Sequence, residues 1–237
     1  LFSLLPNLQN MTALDIAAAT GQVSIAASDA GFKRVIASEI RLPQVEQFRL
    51  IQSCAAERRY ANIESIHDPV SADDMAFPDR YKNEGVDCAF SMGLLYHLAN
   101  PLQHLANLAA ITSRYAVVYT MTHSNYFAQN KWTLTVENPE WLTKAVSGVL
   151  WTPFYLNVPR LLKAVGFKTV KIVYPDLFET NFKPPAKAKR HDAAKWLIEN
   201  ALYRVTGLRI GAQKNFDFAY FLNAGLNPNY FAYVCEK

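Results

Sequence analysis

A chain of 237 residues, 51% hydrophobic and 19% charged, can bury a full core and is too apolar to be disordered. Its net charge of +4, from 24 Lys and Arg against 20 Asp and Glu, is too small an excess to imply a nucleic-acid partner. No apolar run approaches the ~18 residues of a membrane span. The start, Leu1-Phe2-Ser3-Leu4-Leu5-Pro6, has no basic flank and reads poorly as a signal peptide. Cys54, Cys88 and Cys235 lack CxxC spacing, which points to reduced thiols of a cytoplasmic protein and away from a zinc site.

In chain order, Ala13–Ile16 is predicted as a short apolar strand carrying Asp15 near its end. The small-residue turn Ala17-Ala18-Ala19-Thr20-Gly21 follows. Gln22–Ala30 reads as a helix, with Gly31 placed to cap it. Arg34–Ser38 is a second strand closing at Glu39. Pro43 opens a helix with an apolar face of Val45, Phe48, Ile51 and Ala55. Asn62–His67 is a third strand, ending at Asp68, and Val86–Met92 a fourth. Asn100 and Pro101 cap and open a helix with Leu102, Leu105 and Leu108 aligned. Ala116–Met121 is a fifth strand. Asn157 is expected to cap a helix that runs to Val165 and stops at Gly166; Phe167–Tyr174 and Tyr230–Cys235 complete seven strands.

Two stretches interrupt this rhythm. Residues 122–156 are crowded with aromatics, among them Tyr126, Trp132, Trp151, Phe154 and Tyr155. Residues 175–228 hold the basic run Lys183–Arg190, read as a solvated loop, and an expected helix, Ala193–Thr206. Strands alternating with helices mean βαβ units and a mainly parallel sheet. Ligands in such sheets lie beyond the carboxyl ends of the strands, where Asp15, Glu39, Asp68 and Met92 to His97 all fall. Small residues after the first strand let backbone approach a ligand, and the amides opening the next helix offer unpaired donors.

Four segments in order resemble the class I S-adenosylmethionine-dependent methyltransferases. Leu14-Asp15-Ile16-Ala17-Ala18-Ala19-Thr20-Gly21 is similar to the family's first motif, and Glu39 stands where the family places an acid for the ribose hydroxyls. Val86 through Met92, with Gly93-Leu94-Leu95-Tyr96-His97-Leu98, resembles its fourth strand and following loop. Leu161-Leu162-Lys163-Ala164-Val165-Gly166-Phe167 resembles the approach to its sixth strand.

The resemblance implies a Rossmann-like α/β fold, with a seven-stranded mainly parallel sheet, helices on both faces and an antiparallel last strand. It implies a single domain over 1–237, with a core of about 11–122, 157–174 and 229–237 and substrate-side insertions at 123–156 and 175–228. The implied cofactor is S-adenosylmethionine, with S-adenosylhomocysteine as product. Its contacts would come from Asp15, Ala17, Ala18, Thr20, Gly21, Glu39, Ile40, Asp68, Met92 and Gly93, with Asp73 an alternative to Asp68 at the adenine. Asp15 reads equally as a helix-capping acid. Ala17 departs from the family, which has glycine there; if its φ is positive, the strain is of order 1 kcal/mol or more.

Methyl transfer to a hydroxyl needs a base, and His97 and His123 are the candidates. Tyr96, Tyr126 and Trp151 are candidate walls of a pocket for a small or medium organic acceptor, with O-methylation favoured. His97 also reads as a loop-packing residue. A methyltransferase-like protein without transfer activity is the alternative that Ala17 supports. No metal site is expected.

Overall fold

The computed structural model describes residues 2–55, 60–122, 132–136, 149–173 and 229–237, with backbone alone for 132–136, 149–150 and 229–230. Along the chain run β1 (Thr12–Ile16), α1 (Gln22–Asp29), β2 (Arg34–Glu39), α2 (Leu42–Cys54), β3 (Ile63–His67), α3 (Phe77–Tyr81), β4 (Cys88–Met92) and α4 (Pro101–Ile111). There follow β5 (Tyr115–Thr122), β6 (Trp132–Val136), β7 (Val149–Pro153), α5 (Asn157–Ala164), β8 (Thr169–Val173) and β9 (Asn229–Glu236).

Seven strands form one sheet in the order β3-β2-β1-β4-β5-β9-β8. The β1–β2, β1–β4, β2–β3 and β4–β5 pairs are parallel, and β9 is antiparallel to both β5 and β8. The expected seven-stranded sheet with its reversed last strand is therefore present. The strand order changes direction between β1 and β4, so a crevice opens there at the carboxyl ends.

Alternate residues of each strand feed opposite faces. Leu14, Ile16, Ile36, Ala89 and Val118 enter one core cluster, while Ala13, Val35, Ala37, Phe90 and Val117 enter the other. Burial on both faces explains why these strands read as apolar runs without polar alternation.

The local signals mostly hold. Asn100 caps α4, accepting a hydrogen bond from Gln103 N at 3.1 Å, and Gly31 takes φ +98° after α1. Two details differ. Asn157 is the first residue of α5, not its cap, and no side chain caps that helix. Ile51 is 41% exposed, because the helical period carries the buried stripe of Val45 and Phe48 on to Gln52, about 100° away from Ile51. Gln52 Nε2 donates to Ile63 O at 3.0 Å, tying α2 to β3.

Helix α3 and the β6–β7 antiparallel pair were not among the expected elements. Strand β7 packs against β5 and against the 3-10 turn Leu95–His97 that follows β4. The described residues belong to one compact unit, Leu1–Tyr174 with Pro228–Lys237. The basic run and the expected helix Ala193–Thr206 lie outside the described residues, as do His123 and Tyr126.

Candidate functional site

The turn after β1 folds through three left-handed residues: Ala17 at φ +59°, Ala19 at +49° and Gly21 at +82°. Ala18 N donates to Ser38 O at 2.9 Å and Gly21 N to Ala18 O at 2.8 Å, which pins the turn against β2. An alanine held left-handed is strained by about 1–2 kcal/mol. Ala17→Gly should therefore stabilise the chain by about 1 kcal/mol, after allowance for the looser unfolded state. Urea unfolding of the two proteins reads this, and a variant no more stable than the parent would count against the strain.

The two acids nearest the turn have opposite electrostatics. Asp15 is fully buried, and its Oδ2 accepts from Ser24 Oγ at 2.6 Å. It thereby ties the end of β1 to the first turn of α1, whose N-cap is Gly21 and which no side chain caps. Burial pushes its carboxyl up to about 7, partly offset by hydrogen bonds from the Ser24 side chain and backbone; the charge of Glu39 adds to the rise. Glu39 is equally buried at the end of β2. Burial there also opposes charge, but hydrogen bonds from Arg41 and the Ala19 amide outweigh it and hold the carboxyl below its usual value.

The Asp15 shift has a definite sign. Its folded form binds a proton more tightly than its unfolded form, so this stabilisation is full below about pH 3.8 and fades as pH rises through 7. Asp15→Asn abolishes the titration. Its stability relative to the parent should climb by about 2 kcal/mol between pH 5 and pH 7. Denaturant titrations at the two pH values check it, and a constant difference would reject it. Comparison with the parent is needed because buried His104 runs the other way. Burial lowers that imidazole to about 4, so its neutral form loses stability as pH falls below about 6.5.

A cavity of about 300 Å³ opens at the carboxyl ends of β1, β2 and β4. Ala17, Glu39, Ile40, Asp68, Met92, Gly93 and His97 all line it. Seven candidates spread over 80 residues thus share one wall, at the lower edge of usual ligand-pocket size. Asp15, Ala18, Thr20, Gly21, Tyr96 and Trp151 do not line this cavity. Gly21 instead lets Phe48 pack against the turn. Tyr96 lies beside His97, with ring centroids 4.2 Å apart. Trp151 sits on β7, half-buried.

Asp68 is held from three sides. Tyr81 Oη bridges Asp68 Oδ2 at 2.7 Å and Ser38 Oγ at 2.6 Å, Val70 N donates to Oδ1 at 3.1 Å, and Arg80 Nε lies 3.4 Å from Oδ1. Burial and the Asp68 carboxylate raise the Tyr81 phenol well above its ordinary value, so it stays a neutral donor. Asp73 accepts from Ser71 Oγ at 2.5 Å and from Asn100 N at 2.8 Å, so it secures the loop before α4. Beneath the cavity, His104 Nε2 meets Ser91 Oγ at 2.8 Å and Nδ1 meets Ala72 O at 3.3 Å.

Sequence reasoning missed Arg41, Ser38, Ser71 and Phe77 on the cavity wall. Arg41 alone carried a local signal, a long cation two residues after a strand-ending acid. Among the described residues no cluster of His, Cys, Asp and Glu could hold a metal, and no helix is long and apolar enough to cross a membrane.

No known-family model matches the chain. A 59-residue stretch, 25% of this chain, is 42% identical to a tRNA U34 carboxymethyltransferase from Pseudomonas paraeruginosa, but it spans only 17% of that protein. Among solved structures, an S-adenosylmethionine-dependent methyltransferase from Mesorhizobium loti superposes with TM-score 0.56 at 15% identity, over 99% of this chain and 94% of that one. The N-terminal domain of EvdMO1, crystallised with SAH bound, superposes with TM-score 0.55 at 16% identity, over 69% of this chain and 68% of that one.

Proposed function

We propose that this chain, which has the fold of the class I S-adenosylmethionine-dependent methyltransferases, binds S-adenosylmethionine and transfers its methyl group to a small or medium organic acceptor. The observation that carries this reading is Glu39: a buried, ionised carboxylate at the end of β2, on the wall of a cavity at the sheet's switch point. Two backbone amides, Ala19 N at 2.8 Å and Arg41 N at 2.9 Å, fix one oxygen each. A carboxylate has about four acceptor sites, so the two amides account for one site on each oxygen, and the second site on each is of the kind a ribose hydroxyl takes. That donor set fits the nucleoside end of the cofactor.

When bound, S-adenosylmethionine supplies a methyl carbon made electrophilic by its sulfonium. The chain's own residues have positioning tasks. The backbone of Ala17 to Thr20 lies along the methionine portion, with Asp15 beneath holding α1 and Gly21 closing the turn. Ile40, 38% exposed on the rim, offers the adenine an apolar face. Asp68, though held by Tyr81, retains acceptor capacity for the adenine amino group. Met92, Gly93 and His97 line the same cavity from the end of β4 and the loop after it.

The acceptor approaches from the side of Tyr96 and Trp151. His97, or His123 outside the described residues, takes the proton of an attacking hydroxyl as the oxygen bonds to the methyl carbon and the carbon–sulfur pair leaves with sulfur. Holding these atoms in line supplies much of the rate. Hydroxyl acceptors are favoured because a basic side chain lines the cavity.

Isothermal titration with S-adenosylhomocysteine, followed by transfer assays on phenols, alcohols, amines and unmodified tRNA, tests the reading. The tRNA belongs in the panel because of the 59-residue likeness to a tRNA-modifying protein. Binding with turnover on a small hydroxylated acceptor is the expected result, and no binding heat defeats the reading. The strained Ala17 on the cavity wall favours a second possibility, a binding protein without transfer activity. Binding without turnover on any acceptor would select it.

A further inference from the structure

Arg41 places its guanidinium on the acceptor sites of Glu39 that the backbone leaves open. Arg41 Nε donates to Oε1 at 2.8 Å and Nη2 to Oε2 at 3.3 Å. With Ala19 N on Oε2 and Arg41 N on Oε1, all four acceptor sites are filled. The two amides belong to fixed backbone, one in the pinned turn and one at the residue that caps α2. The guanidinium stands on a flexible stem whose side chain is 49% exposed, while Glu39 is 2% exposed. Only the guanidinium pair can be exchanged, and it presents one donor to each oxygen. A vicinal diol presents donors in the same arrangement.

We propose that Arg41 is a displaceable cover on the nucleoside site, a specificity-setting residue that a ligand must replace with two hydroxyls, one per carboxylate oxygen. The proposal rests on the nucleoside reading of Glu39. It follows that ligands with only one free ribose hydroxyl displace the cover poorly, because a single donor cannot replace both guanidinium contacts. The residue thereby sharpens selection for an intact diol while lowering affinity for all nucleosides. Water rehydrates the released guanidinium at modest cost, since it is already half exposed.

Calorimetric titration of S-adenosylhomocysteine and its 2′-deoxy analogue into the parent, Arg41→Ala and Arg41→Lys tests this. Arg41→Ala is expected to tighten S-adenosylhomocysteine binding about three- to tenfold, the range for losing a half-exposed ion pair from the free state. Its ligand-induced rise in melting temperature should grow, and its preference for the intact diol should shrink. Arg41→Lys should fall between, since an ammonium cannot bridge both oxygens. Unchanged or weaker binding by Arg41→Ala overturns the proposal and leaves the nucleoside reading intact, because it means the guanidinium holds Glu39 or the ligand. Silence from both parent and Arg41→Ala overturns the nucleoside reading, and the cover with it.

Discussion

Gly21→Ala is expected to remove about 4 kcal/mol of folding stability, through two effects at one atom. Gly21 has φ +82°, and an alanine there carries left-handed strain of about 1–2 kcal/mol. Its Cβ would also lie 2.1 Å from Phe48 Cε2 and 2.2 Å from Cζ. Phe48 is 1% exposed and wedged in the core under the turn, so its ring has nowhere to retreat. Overpacking of this kind adds about 1–3 kcal/mol. Gly31→Ala separates the two effects: its φ is +98°, but no atom lies within 4 Å of the added methyl. It should lose only the strain. Urea unfolding of both variants decides the matter, and equal losses would mean that Phe48 makes room. Because the turn lies on one side of the candidate site, ligand binding by Gly21→Ala should fail alongside stability.

Glu39→Gln is expected to weaken S-adenosylhomocysteine binding by about 3 kcal/mol, near a hundredfold, with the fold retained. An amide oxygen still accepts from Ala19 N, so the turn keeps its anchor. What disappears is charge: one side becomes a donor facing the donors of Arg41 or of a ribose. Each charge-assisted bond contributes about 1.5–3 kcal/mol, and part of two is lost. Calorimetry gives the affinity and circular dichroism the fold. A Glu39→Gln protein that folds and binds as the parent does would remove the carboxylate from the site. The experiment is independent of Arg41, because the cover predicts tighter binding when the cation goes and this predicts weaker binding when the acid goes.

Much of the fold was legible because its signals are local. Asn100, Pro101 and Gly31 stop or start helices through their own dihedrals and side chains, and apolar runs bounded by turns marked each strand of the main sheet. Helix α3 escaped because five residues hold too little period to read. Strands β6 and β7 escaped because their aromatics suit a pocket wall as well as a strand. Ile51 was misjudged because one turn beyond Phe48 the inward side of α2 passes to Gln52, which reaches β3.

The candidate site was legible only as a set of positions. Ends of strands are a topological fact, so the chain order alone brings Ala17, Glu39, Asp68 and Met92 to one rim. Whether each acid is free, buried or tied depends on partners distant in sequence. Tyr81 reaches Ser38 across 43 positions, and Ala19 reaches Glu39 across 20. No spacing rule announces such a pair, because it exists only once the sheet has brought those strands and turns together.

The sequence by itself therefore determined the alternation of strands and helices, the small-residue turn and the acids that end the strands, since these rest on local sterics and periodicity. The tertiary structure alone decided that Ala17 is left-handed, that Asp15 holds Ser24 of α1 while Glu39 lines the cavity, and that the Arg41 guanidinium hydrogen-bonds Glu39. Burial and hydrogen bonding set the charge and freedom of a side chain, and both are properties of the packed molecule.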